Sequence, residues 1–212
     1  MMNVACLTFN PVQVNTYVIW DETLECVIID PGCSNPAEEA QLVDFIERKS
    51  LKPVRLINTH GHFDHIWGND FVAKKWDLPV EAHPYSQEIM ERGPSQGAMF
   101  GIEVPSAPAI EKEIHEGDKI TFGNSELDTI HVPGHEPGSI IFYSPEDHFM
   151  VCGDVLFNGS IGRTDLYKGD HQQLIDGIKE KVLPLPEQTT IYSGHGIATS
   201  IANEKQNNPF LQ

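Results

Sequence analysis

Apolar and β-branched runs at Val4–Phe9, Asn15–Trp20 and Cys26–Ile29, separated by Asn-Pro and Asp-Glu-Thr punctuation, predict a strand meander at the start of the chain. Asn35-Pro36 then opens a helical pattern in which Leu42, Phe45 and Ile46 recur at helical spacing before Pro53, and Val54–Ile57 returns to strand. A second helix is predicted over Ile66–Trp76 and a third over Ser86–Met99. The Gly- and Pro-bearing stretch FGIEVPSAPAI follows as a surface loop near a site entrance. Further strands are predicted at Lys119–Phe122, Glu126–Val132, Ser139–Tyr143, His148–Cys152 and Thr189–Tyr192, with a helix at Gln172–Val182 and a short C-terminal one. No linker or low-complexity block divides residues 1–212. The expectation is one α/β domain of two sheets, or one mixed sheet, covered by helices.

Strand-like runs end again and again in a residue able to bind metal. VIID ends at Asp30, VRLINTH at His60, LDTIHVPGH at His135, FMVCGD at Asp154 and TTIYSGH at His195. If these ends share one rim, their side chains converge there, on loops held by a rigid scaffold.

Composition narrows the chemistry. The chain has 212 residues with 14 Lys+Arg against 31 Asp+Glu, a formal charge of −17. Such a field opposes duplex nucleic acid or an anionic membrane as the main partner. A chain this long buries enough surface to fold without a structural metal, so a metal site here is expected to be functional. The start MMNVACLTFNPVQVNTYVIW is polar-interrupted and lacks a positive n-region, and no run has the length of a spanning helix. A cytoplasmic location is the expectation. Cys6, Cys26, Cys33 and Cys152 form no C-x-x-C pair and are read as buried thiols.

Thr59-His60-Gly61-His62-Phe63-Asp64-His65 carries the strongest signal. Two imidazoles two apart in an extended turn project to one side and chelate one ion, while the adjacent carboxylate and imidazole reach a second. Imidazole and carboxylate without a nearby thiolate suit zinc, iron or manganese in an open site. His135 in PGHEPGS, Asp154 in CGD and His195 in SGHG are weak signals singly. Beside the first cluster they complete two spheres: His60, His62 and His135 for one metal, Asp64, His65 and His195 for the other, with Asp154 bridging both. Asp64 and Asp154 are then the catalytic carboxylates.

THGHFDH, PGHEPGS, CGDVLF and SGHG, in that order, resemble the metallo-β-lactamase fold superfamily. Within it, LFNGSIGRTD and the ending NPFL resemble the short bacterial glyoxalase II-like hydrolases. The resemblance implies a four-layer αββα sandwich with two divalent metals, zinc foremost, at the strand-end rim. It also implies a hydrogen-bonding role for Asp30 beside the metal turn; a plain Asp-Pro-Gly turn is the alternative.

The function implied is hydrolysis of S-lactoylglutathione or a related small thioester, without an obligate protein partner. In the enzymes resembled, a basic residue shortly after the bridging Asp contacts the glutathionyl part. Arg163 stands there, either to bind a carboxylate or to pair with Asp165. Tyr167 and Lys168 either line the same rim or are solvated loop residues. Only 17 residues follow His195, too few for the helical C-terminal domain of full-length glyoxalase II or the second domain of the nuclease branches. The alternative activity is that of a mononuclear-iron persulfide dioxygenase of the same fold, and a non-catalytic binding module is the alternative from another class. His83, His115, His131, His148 and His171 are assigned to surface or turn positions, His131, four residues before His135, being also a candidate for a hydrogen-bond donor behind the site or for packing in the sheet.

Overall fold

The computed structural model describes Met1–Gln212. The predicted meander forms as β1 (Asn3–Phe9), β2 (Val14–Trp20) and β3 (Glu25–Ile29), antiparallel throughout. β4 (Lys52–Ile57), β5 (Val80–Ala82) and β6 (Lys112–Glu113) extend this sheet in parallel, giving the order β1-β2-β3-β4-β5-β6. The second sheet comprises β7 (Lys119–Phe122), β8 (Ser125–His131), β9 (Ile140–Ser144) and β10 (Phe149–Gly153), followed beyond the small hairpin β11 (Leu156–Phe157) and β12 (Ser160–Ile161) by β13 (Thr190–Ser193) and β14 (Thr199–Ser200). Its order is β14-β13-β10-β9-β8-β7, with β10 and β13 parallel.

Strand alternation explains the layering. On β2 and β3, Tyr17, Ile19, Val27 and Ile29 face the second sheet, where they pack with Leu127, Ile140, Phe142, Phe149 and Val151. Val18, Cys26 and Ile28 point the other way, onto Leu42 and Ile46 of α1 (Pro36–Arg48) and Val72 of α3 (Asn69–Trp76). The second sheet turns Ile141, Met150 and Cys152 outward onto Leu174 of α6 (His171–Gly177) and Ile201 of α7 (Ile201–Asn207). Both faces of each central strand are therefore buried, and the result is an αββα sandwich.

Three predicted helices are interrupted. The second begins earlier, as α2 (Phe63–Ile66), and breaks before α3. The Gly68 N–H donates to Pro31 O at 2.8 Å, and a Cβ at Gly68 would lie 2.4 Å from Cys33 Sγ, so the chain is pinned there against a distant loop. The third divides into a 3₁₀ turn (Pro84–Ser86), α4 (Gln87–Glu91) and α5 (Gly93–Met99), with Arg92-Gly93-Pro94 at the junction and Pro94 unable to donate to a helical ladder. The helix over 172–182 is regular only through Gly177; Ile178–Val182 continues as a wider π-type turn. Strands β5, β6, β11, β12 and β14 were not predicted, being two or three residues long. Cys6 is exposed, contrary to its reading as a buried thiol, while the other three cysteines are buried.

Candidate metal centre

Asp30 follows β3, His60 follows β4, His135 lies on the turn after β8, Asp154 follows β10 and His195 follows β13. The parallel pairs β3–β4 and β10–β13 put their C-terminal ends on one rim of their sheets. Bonds between the sheets close that rim. The Asn15 N–H donates to Gly194 O at 2.7 Å, the Tyr17 hydroxyl to Ser193 O at 2.6 Å and the Ile140 N–H to Thr59 O at 2.9 Å. The turn at 59–62 and the short helix α2 then aim His60, His62, Asp64 and His65 inward, all four at most 8% exposed.

Two triads result. The ligand-capable atoms of His60, His62 and His135 lie within 4.8 Å of one another, and so do those of Asp64, His65 and His195. Asp154 stands between them, with Oδ1 3.4 Å from His65 Nε2, and Oδ2 3.6 Å from His135 Nε2 and 3.7 Å from His195 Nε2. Glycines make room for it: a Cβ at Gly194 would lie 2.2 Å from Asp154 Oδ1 and 2.6 Å from His65 Cε1.

Hydrogen bonds fix which nitrogen faces inward in four of the five rings. His65 Nδ1 donates to Asp30 Oδ2 at 2.9 Å, His60 Nδ1 to Thr59 Oγ1 at 3.0 Å and His135 Nδ1 to Arg163 O at 2.7 Å. His195 Nδ1 donates toward Val12 O and Gln13 O at 3.1 and 3.2 Å. In all four rings Nε2 is left for the centre, the arrangement in which a hydrogen bond behind the imidazole sets its tautomer. A third group of ligand-capable atoms, Asp30, His60 and His65, is within the same distance. Asp30 is however spent on hydrogen bonds, Oδ1 accepting from the Thr59 N–H at 2.7 Å and Oδ2 from the Thr59 hydroxyl at 2.5 Å as well as from His65.

The charges are organised for a cation. Burial pushes His60 well below the ordinary imidazole value, His62 to about 3 and His135 downward, so these three rings are neutral, with His62 Nδ1 and His135 Nε2 meeting at 2.8 Å. Burial acts in the same direction on His65, but Asp64 and Asp154 overcome it and hold His65 well above its ordinary value. Burial alone would raise Asp154, yet the charge and hydrogen bond of His65 hold it well below the carboxylate range. Buried His60 Nε2, His65 Nε2 and Asp154 Oδ1 have no hydrogen-bond partner. Buried polar atoms without partners are rare, and three of them converging with a nitrogen and oxygen donor set fit divalent zinc, iron or manganese.

A cavity of about 510 Å³ opens over this cluster, with His62, Asp64, His135, Asp154 and His195 among its lining residues. Arg163 lines it too, held by Asp165 in a two-point ion pair with both N–O distances 2.8 Å. Tyr167 lines it as well, its hydroxyl donating to Glu88 at 2.6 Å. Lys168 does not; it pairs with Glu88 and lines a neighbouring hollow beside Pro84 and Tyr85. Sequence reasoning missed the wall formed by Arg92, Gln96, Met99 and Phe100 of the α4–α5 region. The loop expected near a site entrance was the sole hint. It also missed Glu136, fully buried and pushed up to about 7 by that burial, which accepts from the Ser86 hydroxyl at 2.6 Å and the Gly138 N–H at 2.9 Å and so ties the His135 turn to the α4 side. His83, placed by sequence at a surface or turn position, does cap the 3₁₀ turn but is only 6% exposed, stacked 4.2 Å from His131.

An αββα sandwich with a His/Asp cluster at its strand-end rim is the architecture of a metal-dependent enzyme. The metallo-beta-lactamase superfamily profile matches residues 9–195, and the chain belongs to that superfamily. It is 40% identical over 204 residues to the probable metallo-hydrolase YqgX of Bacillus subtilis, covering 95% of this chain and 93% of that one. It is 34% identical to the hydroxyacylglutathione hydrolase GloC of Haemophilus influenzae, over 99% and 98% of the two chains. Among solved structures, BLEG-1 B3 metallo-beta-lactamase superposes with a TM-score of 0.90 at 36% identity, all of both chains being covered. TTHA1623 in a di-iron-bound form gives 0.89 at 34% identity, covering 98% of this chain and 100% of that one. No helix is long and apolar enough to cross a membrane.

Proposed function

We propose that this metal-dependent hydrolase is a glyoxalase II-like thioesterase that cleaves S-lactoylglutathione or a related small thioester. The observation that carries the proposal is Asp154 placed between two ligand triads under an open cavity. His60, His62 and His135 would hold one divalent ion, Asp64, His65 and His195 a second, and Asp154 would contact both; zinc is the first choice, with iron or manganese suited to the same donors. Two ions so held would supply acidified water and polarisation of a carbonyl near neutral pH.

The chain's own residues favour a thioester. The carboxyls lining the cavity stay ionised: Asp165 is lowered to about 2 by its bond to Arg163, and Asp154 and Asp64, already held below the ordinary carboxylate value by His65 in the metal-free chain, would be kept ionised by the ions they bind. The leaving group therefore departs without a carboxylic acid to protonate it. A thiol of pKa about 8.5 does so readily, unlike the far more basic alkoxide of an ester. Asp30, the Arg163 carbonyl and the Val12 and Gln13 carbonyls hold the imidazoles in position. The likeness to GloC supports the same substrate class.

Asp154→Asn tests the arrangement. Replacing one carboxylate oxygen with an amide removes a site worth several kcal/mol of charge stabilisation, so thioester turnover should fall at least about a hundredfold with the circular-dichroism spectrum retained. Wild-type turnover in a variant of unchanged metal content would reject the role given to Asp154.

A further inference from the structure

Two arginines line the cavity, and their circumstances differ. Arg163 is occupied by Asp165 through Nε and Nη2, an ion pair between two exposed side chains on a Gly-flanked loop. Arg92 stands at the junction of α4 and α5, its guanidinium carbon 4.0 Å from the centroid of the Tyr167 ring. It makes no ion pair. Glu88, a carboxylate whose charge Arg92 feels, is engaged by the Tyr167 hydroxyl and by Lys168. An aromatic face steadies a guanidinium through its π surface while its N–H edge stays available to a carboxylate.

We propose that Arg92 is the cation that binds the anionic end of the substrate, and that Arg163 is not. This rests on the thioesterase reading and narrows it: the favoured substrates are thioesters whose thiol part carries a carboxylate. On a chain of net charge −17, an anionic substrate gains from a local cation at the cavity wall. Phe63, Met99 and Phe100 line the wall on Arg92's side, Phe63 and Phe100 with ring centroids 5.9 Å apart, and give the stem of such a thiol an apolar surface. Glu88 is thereby a positioning residue, holding Tyr167 under Arg92.

The test compares wild type, Arg92→Met and Arg163→Met, each loaded with metal and analysed for it, on S-D-lactoylglutathione and on the neutral lactoyl thioester of 2-mercaptoethanol. One charge-assisted contact at a partly solvated site predicts that the anionic-to-neutral ratio of kcat/KM falls about tenfold in Arg92→Met, mainly through KM. In Arg163→Met the ratio should change by less than about twofold. An unchanged ratio in Arg92→Met, or a larger loss in Arg163→Met, overturns the assignment. If wild type hydrolyses neither thioester, the thioesterase reading fails, and Arg92 is then tested by calorimetric binding of S-hexylglutathione. A roughly tenfold weaker Kd in Arg92→Met supports it; equal affinity, or no binding to wild type, overturns it.

Discussion

Asp30 Oδ2 and His65 Nδ1 stand 2.9 Å apart with both side chains at most 1% exposed, and this contact decides which nitrogen of His65 faces the candidate centre. Asp30 has φ +51°, in the left-handed region that asparagine tolerates well, so Asp30→Asn respects the backbone. The amide cannot reproduce both carboxylate oxygens, which together accept from the Thr59 N–H, the Thr59 hydroxyl and His65. Metal affinity should fall about 10- to 100-fold, measured by competition with a chromogenic chelator. Wild-type affinity would remove Asp30 from the orienting role.

Metal loading should release protons. Without an ion, Asp64 and Asp154 hold the His65 proton against the effect of burial, and a bond to Asp64 likewise raises His195. His60, His62 and His135 are pushed the other way by burial and carry none near neutral pH. A raised pKa means a proton bound at neutral pH that the ion must displace, so affinity falls as pH drops. Calorimetric Zn(II) titrations in two buffers of different ionisation enthalpy should give about one to two protons released per chain. Zero release would contradict the charge state assigned to His65.

The C-terminal helix is held by one buried carboxylate. Glu204, fully buried on α7, accepts from the Thr199 hydroxyl at 2.5 Å, Asn203 Nδ2 at 2.8 Å, the Gly159 N–H at 3.0 Å and Asn208 Nδ2 at 2.8 Å. Asn208 in turn donates to Ser160 O at 3.0 Å, so α7 secures the β11–β12 hairpin that leads to Arg163. Glu204→Ala leaves these donors unpaired and should cost about 2–4 kcal/mol, lowering Tm by roughly 5–15 °C in a thermal melt. A loss below about 1 kcal/mol would show the network to be dispensable.

Much of this was legible in the chain. Runs such as VIID and FMVCGD end in an acid directly after the apolar residues, and parallel pairing with β4 and β13 carries those ends to a common rim. The spacing of His60, His62, Asp64 and His65 is local, so sequence carries it whole. What escaped depends on contacts far apart in the chain. The break at Gly68 is imposed by Pro31 and Cys33, and β5 is too short for a pattern of its own, taking its place from pairing with β4. Arg92 reads as one charge within a predicted helix; its value comes from Tyr167, 75 residues away, and from Asp165 having taken Arg163.

The central claim is tested most directly by incubating protein carrying two equivalents of Zn(II) with S-D-lactoylglutathione and following loss of the thioester absorbance. The account predicts saturable hydrolysis with stoichiometric thiol release, abolished by chelation and restored by metal. No thioester loss from protein shown by metal analysis to be fully loaded would contradict it, the more so if the iron-loaded protein consumed oxygen with glutathione persulfide or the zinc-loaded protein opened a β-lactam ring.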